Sequence, residues 1–156
     1  MTIEEFISAV GVNNSTVEVD SDIDFNSWPF SASIKIGDKV IINGNGHTLT
    51  NIQQGNAVPF NLGSNMTINR LNFRNINLPT SKLFHSRDAS IKTLNECQIS
   101  GLMLDVHDAN TSSLNSLNFN RCSLNIERFE TIRCNLTECY VVVGNNAKKG
   151  DTTPNQ

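Results

Sequence analysis

Short segments of alternating apolar residues recur along this chain, and their spacing restricts the possible folds more than any other feature. Leu71-Asn-Phe-Arg-Asn-Ile-Asn-Leu78 and Leu117-Asn-Phe-Asn-Arg-Cys-Ser-Leu124 align without a gap, which places Ile76 on Cys122. Leu94-Asn-Glu-Cys97-Gln-Ile99, Leu136-Thr-Glu-Cys139-Tyr-Val141 and Leu49-Thr-Asn-Ile52 fit the same frame. The equivalent positions are then 52, 76, 97, 122 and 139, at steps of 24, 21, 25 and 17 residues. A second register supports the first. Lys82-Leu-Phe-His-Ser-Arg-Asp-Ala89 resembles Leu102-Met-Leu-Asp-Val-His-Asp-Ala109, offset by 20, and Pro59-Phe-Asn-Leu-Gly-Ser64 is an earlier member offset by about 24. Each repeat therefore holds at least two short strands separated by polar turns.

Helical solenoids need amphipathic stretches of ten or more residues at a period near 3.6. Here Leu71 and Phe73, then Ile76 and Leu78, alternate at a period of two, the mark of short half-buried strands. Leucine-rich repeats share the repeat length but need a more regular leucine spacing and a return segment that reads as helix. The pattern predicts an all-β fold, a right-handed parallel β-helix of about six coils. Stacked at about 4.8 Å per step, these would form a rod roughly 25–30 Å long. One coil cannot bury its own inward side chains, but a stack buries them as continuous columns. The 23 asparagines suit this scheme, because asparagine tolerates left-handed corner conformations and can form amide ladders between coils.

The ends of such a stack expose unpaired strands and need covers. Thr2 to Val10 reads as a short capping helix (residues 2–10): Thr2 as N-cap, Glu4 and Glu5 in the first turn, Ile3, Phe6, Ile7 and Val10 as one apolar face, and Gly11 ending it. Tyr140-Val-Val-Val143 reads as a last strand. Residues 144–156 are polar and aperiodic and read as a flexible tail, so residues 1–143 form the expected domain, with no C-terminal cap in view.

Val40-Ile-Ile-Asn-Gly-Asn-Gly-His-Thr-Leu-Thr-Asn-Ile52, with Gly44 and Gly46 placed for a tight turn, resembles the early-coil signature of the pectate-lyase-like superfamily. The order of parts is similar too: a cap helix, first strands, the Gly-x-Gly turn, then coils. The resemblance covers roughly residues 2–143 and implies the right-handed parallel β-helix fold. It implies little about function, since members include polysaccharide lyases, glycoside hydrolases, phage tailspikes and other virion proteins, and adhesins. The chain is about half the size of the enzymes, and neither the acidic calcium ligands of the lyases nor the aspartate cluster of the hydrolases can be placed on it.

The net charge of −3 leaves no basic footprint for nucleic acid. There is no run of eighteen apolar residues for a membrane span, and no secretory signal at the start. Charged residues make up only 17% of the chain. Cys97, Cys122, Cys134 and Cys139 form no CxxC pair, and each lies close to an apolar residue, so they read as buried thiols packed as small hydrophobes. No cofactor and no metal is expected. Glu18, Asp20, Asp22 and Asp24 alternate with Val17, Val19, Ile23 and Phe25. Four carboxylates could attract calcium, but spread along one strand they read as a solvated outer face. The offset segments place Arg87 and Asp88 over His107 and Asp108, with Asp105 close by. Such a patch could hold a sugar or an anion, or be no more than a turn that repeats. Trp28, before Pro29 and Phe30, could stack on a sugar, with packing on the cap helix as the competing role. His47 reads as a turn residue. Arg87, Asp88, Asp105, His107, Asp108 and Trp28 are thus the candidate ligand-binding residues.

The expected function is a non-catalytic structural module of a virion or another large surface assembly. It would associate with protein partners or with itself through the C-terminal coil. A carbohydrate-binding module is the alternative, and a reduced lyase or hydrolase comes third. Neither nucleic acid nor membrane is an expected partner.

Overall fold

The computed structural model describes residues 1–86, 88–104, 117–129 and 134–143. Among these described residues one helix, α1 (Ile3–Val10), is followed by fifteen short strands that pair in parallel. Six strands form the first face: β1 (Thr16–Glu18), β4 (Ile41–Asn43), β7 (Thr67–Asn69), β10 (Lys92–Asn95), β12 (Leu117–Asn120) and β14 (Asn135–Thr137). The second face holds β2 (Ile23–Asp24), β5 (Thr48–Gln53), β8 (Asn72–Asn77), β11 (Gln98–Leu104), β13 (Ser123–Phe129) and β15 (Tyr140–Val143). The third holds β3 (Ile34–Lys35), β6 (Phe60–Leu62) and β9 (Phe84–Ser86). The chain is therefore the parallel β-solenoid expected from the repeat. Among the described residues three coils are closed on all three faces and later rungs are described on two, so the coil count differs slightly from six.

Among the described residues the inward columns are apolar apart from Lys92 and Ser86, and the phenylalanines run through the centre. Phe25, Phe30, Phe60, Phe73 and Phe84 are all buried and meet with ring centroids 5.6–6.5 Å apart, mostly edge to face. The Pro59–Ser64 register holds: Phe60 pairs Phe84 at the expected offset of 24. So does the alignment of Ile52 with Ile76, and that of Cys97 with Cys122 and Cys139, as the pairs Gln98–Ser123 and Ser123–Tyr140 require.

The joining of those two sets does not hold. Ile99 pairs Phe73, so the residue stacked with Cys97 is Leu71, and Ile76 lies farther along β8. The underlying repeat is Ile68-Asn-Arg-Leu71-Asn-Phe73, Leu94-Asn-Glu-Cys97-Gln-Ile99, Phe119-Asn-Arg-Cys122-Ser-Leu124 and Leu136-Thr-Glu-Cys139-Tyr-Val141. Two consecutive strands with the same period-two alternation can be slid past each other without breaking the apolar pattern, so the pattern alone misplaces the phase.

The second residue of this repeat forms the amide ladder. Asn120 Nδ2 donates to Asn95 Oδ1 at 3.0 Å, Asn95 to Asn69 at 2.9 Å, and Asn69 to Asn43 at 3.1 Å. Asn43 donates to Glu18 Oε2 at 2.6 Å. The third residue turns the corner in the left-handed region: Arg70, Glu96, Arg121 and Glu138 have φ of 50–55°. In the second coil that corner is the Gly44–Gly46 loop. A Cβ on Gly44 would lie 2.4 Å from the Arg70 carbonyl oxygen, and Gly46 has φ +82°, so both positions need glycine.

α1 covers the first coil. Phe6 and Val10 are buried, Ile3 and Ile7 are packed against the core, and Phe6 meets Phe25 edge to face at 6.3 Å. Thr2 and Glu5 form a reciprocal capping box, with Glu5 N–H donating to Thr2 Oγ1 at 3.1 Å. Gly11 is the C-cap, in right-handed backbone.

Candidate functional site

Parallel strands in register repeat their outward residues in rows, so a surface site on this fold is a grid. One such grid lies on the second face over β11, β13 and β15. Gln98, Ser123 and Tyr140 form one row across the strands. Two residues along, Ser100, Asn125 and Val142 form the next. All six side chains are exposed, and together with Ile99 and Leu124 they line a shallow groove of about 170 Å³. Tyr140 stands 70% exposed at its rim, unusual for so large a ring, and Val142 is 43% exposed. The groove offers amides, hydroxyls and an aromatic face. Its one ionisable side chain is the Tyr140 phenol. Such a surface can hydrogen-bond and stack against a neutral polar ligand or pack against a strand.

The residues singled out in the sequence lie elsewhere. Arg87, Asp105, His107 and Asp108 fall outside the described residues. Asp88 is described, at the corner leading into β10. Its carboxylate accepts from Lys92 Nζ at 2.6 Å, from the Ser64 and Ser90 hydroxyls, and from the Ser90 N–H at 2.9 Å. Those donors, Lys92 first, hold the Asp88 carboxyl well below the usual carboxylate range. Lys92 is fully buried, in a column with Met66 and Leu117, and its ammonium donates to the Asp88 carboxylate and carbonyl. Its neighbours make Asp88 the acceptor that neutralises a buried cation. Trp28 is half-buried and packed against the core, with its backbone N–H donating to the Phe25 carbonyl at 2.9 Å.

The four carboxylates of the first coil are exposed, and each has its own partner. Glu18 ends the asparagine ladder. Asp20 lies 3.0 Å from the amino group of Met1, which lowers its pKa. Asp22 accepts from the Thr48 N–H at 2.9 Å and meets His47 Nδ1 at 3.2 Å, and these lower it too. Asp24 is lowered by Asn51 Nδ2 at 2.8 Å and by the Asn26 N–H. Glu18, Asp22 and Asp24 terminate hydrogen bonds that reach them from the second coil, Asp20 pairs with the chain's amino group, and among the described residues no three acidic, histidine or cysteine side chains are grouped to hold a metal ion.

Sequence reasoning missed the groove. Its signal was present in the alternating outward residues of Gln98–Ser100, Ser123–Asn125 and Tyr140–Val142. The alignment of Cys97, Cys122 and Cys139 already set Gln98, Ser123 and Tyr140 in one row, but their exposure side by side on the second face is decided by the fold. No family model, curated protein or solved structure matches this chain significantly.

Proposed function

We propose that this chain is a non-catalytic structural module of a virion, phage-type, or of another large surface assembly, built on a right-handed β-helix of the pectate-lyase-like kind. The observation that carries the reading is the asymmetry of the stack. α1 closes the first coil with buried Phe6 and Val10, while β15, the outermost described strand of the second face, leaves Tyr140, Val142 and Val143 exposed. A capped first coil opposes head-to-tail stacking, so copies of this chain meet through their last coils. Solution mass by light scattering tests it. A trimer or larger is expected, and Val142→Lys with Val143→Lys should shift it to monomer. A monomeric parent chain overturns the reading.

The groove favours a second reading, a carbohydrate-binding module, because Tyr140 beside Gln98, Ser123 and Asn125 offers a stacking face ringed by neutral hydrogen-bonding groups. A glycan screen tests it: binding abolished by Tyr140→Ala supports this use, and no binding removes it. The stretch with Arg87, Asp105, His107 and Asp108 remains the other proposed ligand site, and Asp108→Ala in the same screen separates the two. An enzymatic role finds little support, since the groove has no carboxylate and each first-coil carboxylate is engaged by its own donors.

A further inference from the structure

Three of the four cysteines occupy one position of the repeat. Cys97, Cys122 and Cys139 each follow a left-handed corner residue, and each Sγ faces the same two carbonyls: that of its own coil's ladder residue, and that of the apolar residue before the ladder on the preceding coil. Cys97 Sγ lies 3.8 Å from the Ile68 oxygen and 3.5 Å from that of Asn95. Cys122 Sγ lies 3.3 Å from Leu94 and 3.4 Å from Asn120. Cys139 Sγ lies 3.2 Å from Phe119 and 3.4 Å from Thr137. The sulfurs therefore form a column, one per coil. Tyr140 N–H donates to the Cys122 carbonyl at 3.0 Å, so Cys122 and Cys139 are neighbours on hydrogen-bonded rungs. Adjacent rungs are about 4.8 Å apart, inside the roughly 4.4–6.8 Å between Cα atoms that a disulfide spans.

The column is graded in access and in character. Cys97 and Cys122 are buried, and Cys139, at its last described step, is only half-buried. Cys122 Sγ accepts a hydrogen bond from the Cys97 thiol and, at 3.4 Å, the Cys97 backbone N–H, both cysteines being free thiols. Both contacts favour its thiolate and lower its pKa, while the same thiol contact and burial push Cys97 up. Cys134 stands in another column, level with Leu117, and burial pushes its thiol up to about 12.

We propose that this column is a thiol–disulfide exchange site for low-molecular-weight disulfides such as oxidised glutathione, with Cys139 as the entry thiol and Cys122 as the resolving thiol that staples the last two coils together. The Cys139 thiolate attacks the reagent, forming a mixed disulfide and releasing one reagent thiolate. The Cys122 thiolate then attacks the Cys139 sulfur, forming the Cys122–Cys139 bond and releasing the second. Two protein thiols are oxidised and one reagent disulfide is reduced, the two protons given up by the protein thiols being taken up by the released reagent thiolates to give two thiols. Burial raises the Cys139 thiol above its ordinary value, so exchange is slow at neutral pH and accelerates as the solution is made alkaline. Cys97 acts as a positioning residue for the Cys122 sulfur.

The folded, full-length chain is incubated with oxidised glutathione at mildly alkaline pH and read by intact mass and peptide mapping. The expected product has lost two hydrogens, carries a Cys122–Cys139 link, and melts at a higher temperature until dithiothreitol is added. Cys122→Ser should accumulate glutathione on Cys139. Cys97→Ala should slow closure of the link without slowing loss of the Cys139 thiol. An unresolved mixed disulfide on the parent chain, a link between chains, or inert thiols would each overturn the proposal. Should Cys122→Ser fail to fold, Cys139→Ser reads the same question: it should leave Cys97 and Cys122 unmodified, and modification there overturns the assigned entry point.

Discussion

Asn95 illustrates how single residues hold the coils in register. Its amide both donates to Asn69 and accepts from Asn120, so replacing it strands two partners that stay half-buried. Asn95→Ala should cost about 1–3 kcal/mol in urea unfolding, more than the loss of one solvent-exposed amide. Lys92 presents the opposite case. Its charge is buried in an apolar column and neutralised by Asp88, whose side chain is 44% exposed and keeps water and serine donors if the ammonium is removed. Lys92→Met, which refills the column between Met66 and Leu117, should be neutral or stabilising by about 1 kcal/mol. Lys92→Ala leaves a cavity and should cost about 2–5 kcal/mol. The two denaturation midpoints, set against the parent, separate the value of the stem from that of the charge. Glu138 turns its corner at φ 53°, a conformation asparagine takes more readily, so Glu138→Asn should raise the midpoint by up to about 1 kcal/mol.

Among elements, α1 and the corners carry most of the specification. The capping box ties two N–H groups of an eight-residue helix too short to persist alone, and Thr2→Ala should cost about 1 kcal/mol while loosening the lid over Phe25. Circular dichroism and exchange protection at Phe6 to Val10 would register that loss locally. The corner charges alternate in sign up the stack, Arg70, Glu96, Arg121 and Glu138, with Arg121 Nε 3.5 Å from Glu96 Oε1. Half-exposed pairs of this kind contribute little, but the alternation avoids the repulsion that like charges about 4.8 Å apart would create. The helix and its N-cap were legible in Thr2 and the i, i+3, i+4, i+7 apolar face, because they depend on neighbours within one turn, while the return bond from Thr2 N–H to Glu5 was seen only in the structure.

Across the whole molecule, stability is tied to pH through the carboxylates that receive ladders and corners. Asp20, Asp22, Asp24 and Asp88 all have folded pKa values below their ordinary 3.8. A carboxyl depressed on folding contributes stability above its unfolded pKa and loses it as pH falls towards the folded value. The urea midpoint should therefore be flat from about pH 7 to pH 5 and drop steadily below about pH 4. A midpoint unchanged at about pH 3 would mean these contacts are not maintained in solution. The same molecule carries its exposed Tyr140, Val142 and Val143 away from the capped coil, which is why mass in solution and glycan binding are the informative functional readouts.

The sequence by itself determined the parallel coil, the cap helix, the asparagine ladders and the pairing of Phe60 with Phe84. All of these follow from local periodicity or from equal residues recurring at equal steps, and in-register stacking turns a repeat in sequence into a contact in space. Tertiary structure alone decided the phase that sets Leu71, not Ile76, on Cys97, since an alternation of two looks the same on either of two successive strands. It also decided that Glu18, Asp22 and Asp24 end hydrogen bonds from residues about 25 positions away, that Lys92 lies in the core against Asp88, and that Gln98, Ser123 and Tyr140 share one groove. Those properties depend on which coil lies above which, and a chain read one residue after another does not contain that distance.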